Sequence, residues 1–105
     1  MTIIQRRTFY GHMGSAGELV EISKAFFAAI AGSGVTYPIR ILTDHQSGRT
    51  DRVVYEMEVP SMAAIDELMA SLGENEELGA ALGALETRLN KLITHAEVEH
   101  WQIAD

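Results

Sequence analysis

Arg52-Val53-Val54-Tyr55-Glu56-Met57-Glu58-Val59 is the clearest strand in the chain, and its two faces decide the fold. Side chains alternate across a strand, so Val53, Tyr55, Met57 and Val59 point one way and Val54, Glu56 and Glu58 the other. The first set is apolar and asks for a layer of helices. The second is mixed, one apolar and two charged.

Working outward from this strand, Pro60-Ser61 breaks it and caps a helix whose stripe is Met62, Ile65, Leu68, Met69 and Leu72, ending at Gly73. Asn75 caps a further helix, with Glu76 and Glu77 at its positive end and Leu78, Leu82, Leu85, Leu89 and Leu92 at helical spacing. Gly79 and Gly83 share one face of it, which allows either close approach of another helix or a local break. The last strand is expected over Ala96 to Ile103.

Toward the N-terminus, His45-Gln46-Ser47-Gly48-Arg49 reads as a hairpin loop and Tyr37 to Asp44 as the strand before it. Gly32-Ser33-Gly34 stops a helix that carries Leu19, Ile22, Phe26 and Ile30, with Val20 and Phe27 alongside. Ser15 followed by Glu18 has the capping-box spacing at its start. Thr2 to Tyr10 is the first strand.

The order is therefore βαββαβ. Two βαβ crossovers sharing a central hairpin give an antiparallel four-stranded sheet of order 4-1-3-2, an α+β, ferredoxin-like fold for the single domain 1–105. The helix-covered face is expected to hold Val53, Tyr55 and Met57 with Ile39 and Ile41. By alternation the opposite face takes Arg6, Thr8 and Tyr10 from the first strand and Arg40 and Leu42 from the second. The parity of the last strand stays open: either Trp101 with Glu97 and Glu99, or Val98 with His100. Left bare, such a face is an interaction patch, and a second copy laid against it would cover it.

Composition excludes several functions. The chain has no cysteine, so it has no disulfide, thiolate metal site or thiol nucleophile. A net charge of −7 without a basic patch opposes nucleic acid and anionic membrane. No apolar run approaches the roughly 20 residues of a membrane span, and Met1 to Arg7 lacks the order of a signal peptide. A cytoplasmic address is the expectation. There is no phosphate-binding glycine loop and no nucleophile elbow.

Ile39-Arg40-Ile41-Leu42-Thr43, the glycine-containing hairpin, Arg52 to Met62 and the terminal Glu97-Val98-Glu99-His100-Trp101 together resemble the dimeric α/β-barrel superfamily and, within it, the NIPSNAP-like proteins. The resemblance implies two βαββαβ subunits paired into a barrel with a cavity in each. It implies a homodimer of unknown activity whose candidate occupant is a small organic ligand. The superfamily also contains cofactor-free monooxygenases, haem-degrading oxygenases and small isomerases. Haem-degrading members use an Asn, a Trp and a His around the haem. Here Asn75 and Asn90 lie in the second helical region and Trp101 on the last strand, so haem degradation is not implied. No cofactor is expected.

Within that frame the candidate catalytic residues are His12, as a base in the turn after the first strand, and Arg40, as an oxyanion or carboxylate partner. The candidate ligand-binding residues are Tyr10, Glu56, His100 and Trp101. The alternative function is a cofactor-independent monooxygenase or isomerase acting on an aromatic or polyketide-like compound. Each candidate also has a structural reading. His12 suits a solvated turn. Arg6, Arg40, Glu56, Glu58 and Glu99 suit a self-neutralising cross-strand array. His95, Glu97 and Glu99 share a strand face, but nothing supplies the further ligands a metal would need, and no metal site is expected.

Overall fold

A computed structural model describes residues 1–45 and 49–104. Its order is β1 (Ile3–Gly11), α1 (Ala16–Gly32), β2 (Ile39–Thr43), β3 (Arg52–Val59), α2 (Met62–Gly73), α3 (Glu76–Asn90) and β4 (Ile93–Gln102). The strands form one antiparallel sheet, β2-β3-β1-β4, which is the expected order read from the other edge. Of the expected hairpin loop, Gln46, Ser47 and Gly48 lie outside the described residues.

Register assigns the faces. Ile3 sits opposite Val59 and Phe9 opposite Val53, so Ile3, Gln5, Arg7 and Phe9 share the helix side with Tyr55 and Met57. Arg40 pairs with Glu56 and Leu42 with Val54 on the other side, called the outer face below. β4 settles the parity left open above: Trp101 lies opposite Ile4, Glu99 opposite Arg6 and Glu97 opposite Thr8, so Trp101, Glu99 and Glu97 are on the outer face. Val98 and His100 are on the helix side. A register shift between Tyr10 and Gly11 lets β4 begin at Ile93, three residues before the expected start, where β-branched Ile93 and Thr94 extend the pairing.

The core is asymmetric. Ile3, Phe9, Val53, Tyr55, Met57 and Val59 of the sheet are buried under Leu19, Phe27 and Ile30 of α1 and Ile65, Leu68 and Leu72 of α2. Ile39 was expected in this core. It points to the helix side but is 38% exposed, because β2 is an edge strand that the helices do not fully reach. At the opposite edge no residue of α3 is fully buried, and its Leu78, Leu82 and Leu89 are only partly covered. The sheet is therefore tightly roofed over β3 and loosely roofed over β4.

Local caps follow the sequence at two helices and depart from it at the third. Ser61 accepts from the Ala64 N–H and Asn75 from the Leu78 N–H, each satisfying a donor at a helix start. The Ser15 capping box does not form. Ser15 has helical backbone angles, and its hydroxyl donates to the His12 carbonyl at 2.6 Å. The Ala16 N–H is instead accepted by Asp51 Oδ1 at 3.0 Å, from the residue that leads into β3. Glu18, the other half of the expected box, reaches Arg88 of α3 at 3.5 Å. A distant carboxylate thus replaces the local hydroxyl. The backbone N–H groups of Gly14 and Ala16 in turn hold the Asp51 carboxyl below the usual aspartate range.

α3 is continuous through Gly79 and Gly83, and a Cβ built at either would meet nothing within 4 Å. Neither a break nor a close helix approach is present among the described residues. Replacing Gly83 by alanine should therefore stabilise the fold by about 0.5–1 kcal/mol through helix propensity. Urea unfolding checks this, and a destabilised variant would mean the helix surface is occupied in solution.

Candidate functional site

The outer face is built around one buried anion. Glu56 is 4% exposed although, among the described residues, no helix covers this face. Two guanidinium groups enclose it: Arg6 Nε donates to Oε2 at 2.8 Å from β1, and Arg40 Nη2 pairs with Oε1 from β2. β3 lies between β1 and β2, so adjacent strands present the three side chains side by side. Burial pushes the Glu56 carboxyl up, but the hydrogen bonds from Arg6 and then Arg40 outweigh it and leave the group below the usual glutamate range. Arg40 is thus committed to an ion pair.

At one end of this face the Tyr10 and His95 rings stack at 4.3 Å between centroids. The Tyr10 hydroxyl donates to Glu97 at 3.3 Å, and the Arg49 guanidinium lies 4.7 Å from the Tyr10 ring centroid. Trp101 is 54% exposed. His12 is exposed, and its backbone N–H and C=O are engaged with Leu92 and Ser15. No group of three or more His, Asp or Glu side chains converges as a metal site among the described residues.

The expected ligand-binding set is split by the sheet. Tyr10, Glu56 and Trp101 share the outer face, but His100 is on the helix side, where its Nε2 lies 3.1 Å from Gln5 Nε2. The two catalytic candidates are not brought together either, since His12 sits in the turn after β1 and Arg40 on the far edge strand.

A cavity lies on the helix side of the sheet, opposite the face expected to hold a ligand. It has a volume of about 460 Å³ and opens between the sheet and the three helices, where α3 fails to close on β4. Phe9, Phe26, Phe27, Leu82, Leu85 and Leu89 are among its apolar wall residues, and Arg7 and Tyr55 are polar groups at the sheet. Neither His12 nor Arg40 lines it.

A hydrogen-bonded chain runs along the sheet floor of this cavity. Arg7 Nε donates to the Tyr55 hydroxyl at 3.1 Å, the hydroxyl donates to Gln5 Oε1 at 3.4 Å, and the Gln5 amide reaches His100. Tyr55 was expected in the core, and its ring is there, edge-on to Phe27 with 4.9 Å between centroids. Arg7 and Gln5 were missed as site residues. The signal that could have found them was parity, because both fall on the same side of β1 as Ile3 and Phe9. A polar pair interrupting an apolar face is the informative departure.

No protein-family model matches the sequence, and no curated protein matches it. Solved structures do. A NIPSNAP family protein from Agrobacterium tumefaciens str. C58 aligns with a TM-score of 0.78 and 18% identity over 100% of this chain and 95% of its own. An uncharacterized NIPSNAP domain protein from Burkholderia xenovorans gives 0.76 and 17% over 97% and 94%. SnoaB from Streptomyces nogalater, a cofactor-independent oxygenase, gives 0.71 and 15% over 99% and 94%. At such identities the likeness is one of architecture. This chain has the α+β, ferredoxin-like fold of NIPSNAP-family proteins and of SnoaB.

Proposed function

We propose that the protein is a NIPSNAP-like homodimer that binds a small organic ligand in the cavity between its sheet and helices. The observation that carries this reading is the cavity of about 460 Å³, whose wall is largely apolar with a few polar groups among the apolar ones. That combination of volume, apolar wall and sparse polar groups is what small-molecule sites share. The outer face supports the dimer. It carries exposed Leu42 and Trp101 and already neutralises its buried Glu56 with two arginines, so a second sheet can lie on it without stranding that charge.

The neutral dye N-phenylnaphthylamine, which brightens in apolar surroundings, should bind saturably to the protein. Ala96→Phe places a ring from β4 into the cavity, at a strand position that favours aromatics, and should abolish that binding while the fold persists. Saturable binding that survives this substitution would sink the cavity reading. Sedimentation at micromolar concentration tests the pairing, and a stable monomer would remove it.

The fold shared with SnoaB favours a second reading, a cofactor-independent oxygenase acting on an aromatic compound. On this reading the chemistry belongs to the helix-side cavity, beside Arg7 and Tyr55, and His12 and Arg40 have no part in it. Oxygen uptake with an electron-rich polycyclic phenol, lost in Ala96→Phe, is the expected result.

A further inference from the structure

We propose that the cavity takes an amphiphilic monoanion, a single carboxylate or sulfonate on an aromatic or branched apolar body, and that Arg7 holds the anionic end. The proposal rests on the cavity reading above and adds a ligand class and an anchor to it.

Arg7 differs from four of the other five arginines, which are ion-paired, and from Arg49, which lies over the Tyr10 ring. Arg6 and Arg40 share Glu56, Arg52 pairs with Asp44, and Arg88 pairs with Glu18. Arg7 has no carboxylate within ion-pair distance among the described residues, although acidic residues outnumber Lys and Arg by 15 to 8. It is half-buried in the cavity wall, and its one hydrogen bond, from Nε to the neutral Tyr55 hydroxyl, leaves both terminal nitrogens without partners among the described residues. A cation drawn partly out of water without a counter-charge is costly, and a ligand anion would offset that cost.

The geometry favours an anion that offers two oxygens side by side, as a carboxylate or a sulfonate does. Fixing Nε on Tyr55 sets the plane of the guanidinium, and the remaining fork presents parallel N–H groups that match a carboxylate. The other polar groups of the wall do not compete at this end. The Ser23 hydroxyl donates to the Leu19 carbonyl and the Tyr55 hydroxyl to Gln5, so both donors are spent. Glu86 and Asn90 are exposed on α3 and belong to the mouth. A carboxylate at the mouth opposes a second negative charge on the ligand, which is why one anionic group is specified.

The test compares two dyes that share one aromatic body, anilinonaphthalene sulfonate and its neutral parent N-phenylnaphthylamine. Wild type should bind the sulfonate more tightly. Arg7→Met should weaken sulfonate binding about tenfold, the scale of a lost charge-assisted pair, and change the neutral dye by less than about twofold. Arg7→Lys, which keeps the charge but loses the fork, should fall between, and Arg88→Met on the surface should change neither. If Arg7→Met does not melt cooperatively, Arg7→Lys decides by the same selectivity. Equal effects on both dyes, or none, overturn Arg7 as the anchor while leaving the cavity reading intact. If neither dye binds wild type, or Ala96→Phe affects neither, the cavity reading itself fails and the anchor falls with it.

Discussion

Gly11→Ala should destabilise the fold by about 3 kcal/mol, the upper range of overpacking costs. A Cβ at this position would lie 2.2 Å from Ser15 Oγ, 2.7 Å from Leu19 Cδ1 and 2.8 Å from the Asp51 carbonyl oxygen. The hydroxyl and the leucine tip can turn away. The Asp51 oxygen is backbone and already accepts the Gly11 N–H at 3.0 Å, so relief there means moving the start of β3 from the end of β1. Asp51 also caps α1 and holds a positive φ of 61°, so three elements meet at this contact. Adding Ser15→Ala should restore little, because the backbone clash remains. Urea midpoints at one protein concentration measure the effect. A Gly11→Ala variant within about 0.5 kcal/mol of wild type, the usual range of harmless surface changes, would mean that the close approach of β1 and Asp51 is wrong.

Glu56→Ala should cost about 2–3 kcal/mol. Removing one partner of a buried ion pair is generally worth roughly 3–5 kcal/mol. Here the Arg6 and Arg40 side chains are 42% and 71% exposed, so water takes over part of the solvation and the lower figure applies. Glu56→Gln, which keeps an acceptor but no charge, should lose about half as much. The same group gives an acid-sensitive stability. The Glu56 carboxyl sits below its unfolded value, so the folded state binds fewer protons than the unfolded one. Its contribution is full above about pH 5, where the unfolded carboxyl is ionised, and disappears as pH falls through the folded-state value. Asp44 acts in the same sense, held down first of all by the Arg52 side-chain hydrogen bond. The acid limb of stability against pH should therefore be shallower in Glu56→Gln than in wild type. Superimposable acid limbs would show that the carboxylate is not held between the two arginines in solution.

The two positions differ in how far the sequence showed them: Gly11 was expected just beyond the first strand and instead closes β1, whereas the outer-face position of Glu56 was legible. Alternation along Arg52 to Val59 put Glu56 and Glu58 on the outer face, and strand order left either of them to sit between Arg6 and Arg40; in the structure it is Glu56. Ser61 and Asn75 were readable as caps because their partners lie three residues away. Asp51 was not, because the N–H it caps is thirty-five residues distant in sequence. Which of Trp101 and His100 faces outward could not be assigned, because either parity of β4 leaves an apolar side chain on each face. Pairing of Glu99 with Arg6 and of Trp101 with Ile4 made the choice.

Local periodicity, which needs only neighbours a few residues apart, was enough to set the order of strands and helices, the sheet order and the two faces of β3. Where empty space lies is a different kind of fact. The cavity exists because α3 packs loosely over β4 while α1 and α2 pack closely over β3, and among the described residues no acidic side chain from another element reaches Arg7. Both depend on distances between segments far apart in the chain, and only the assembled tertiary structure sets those.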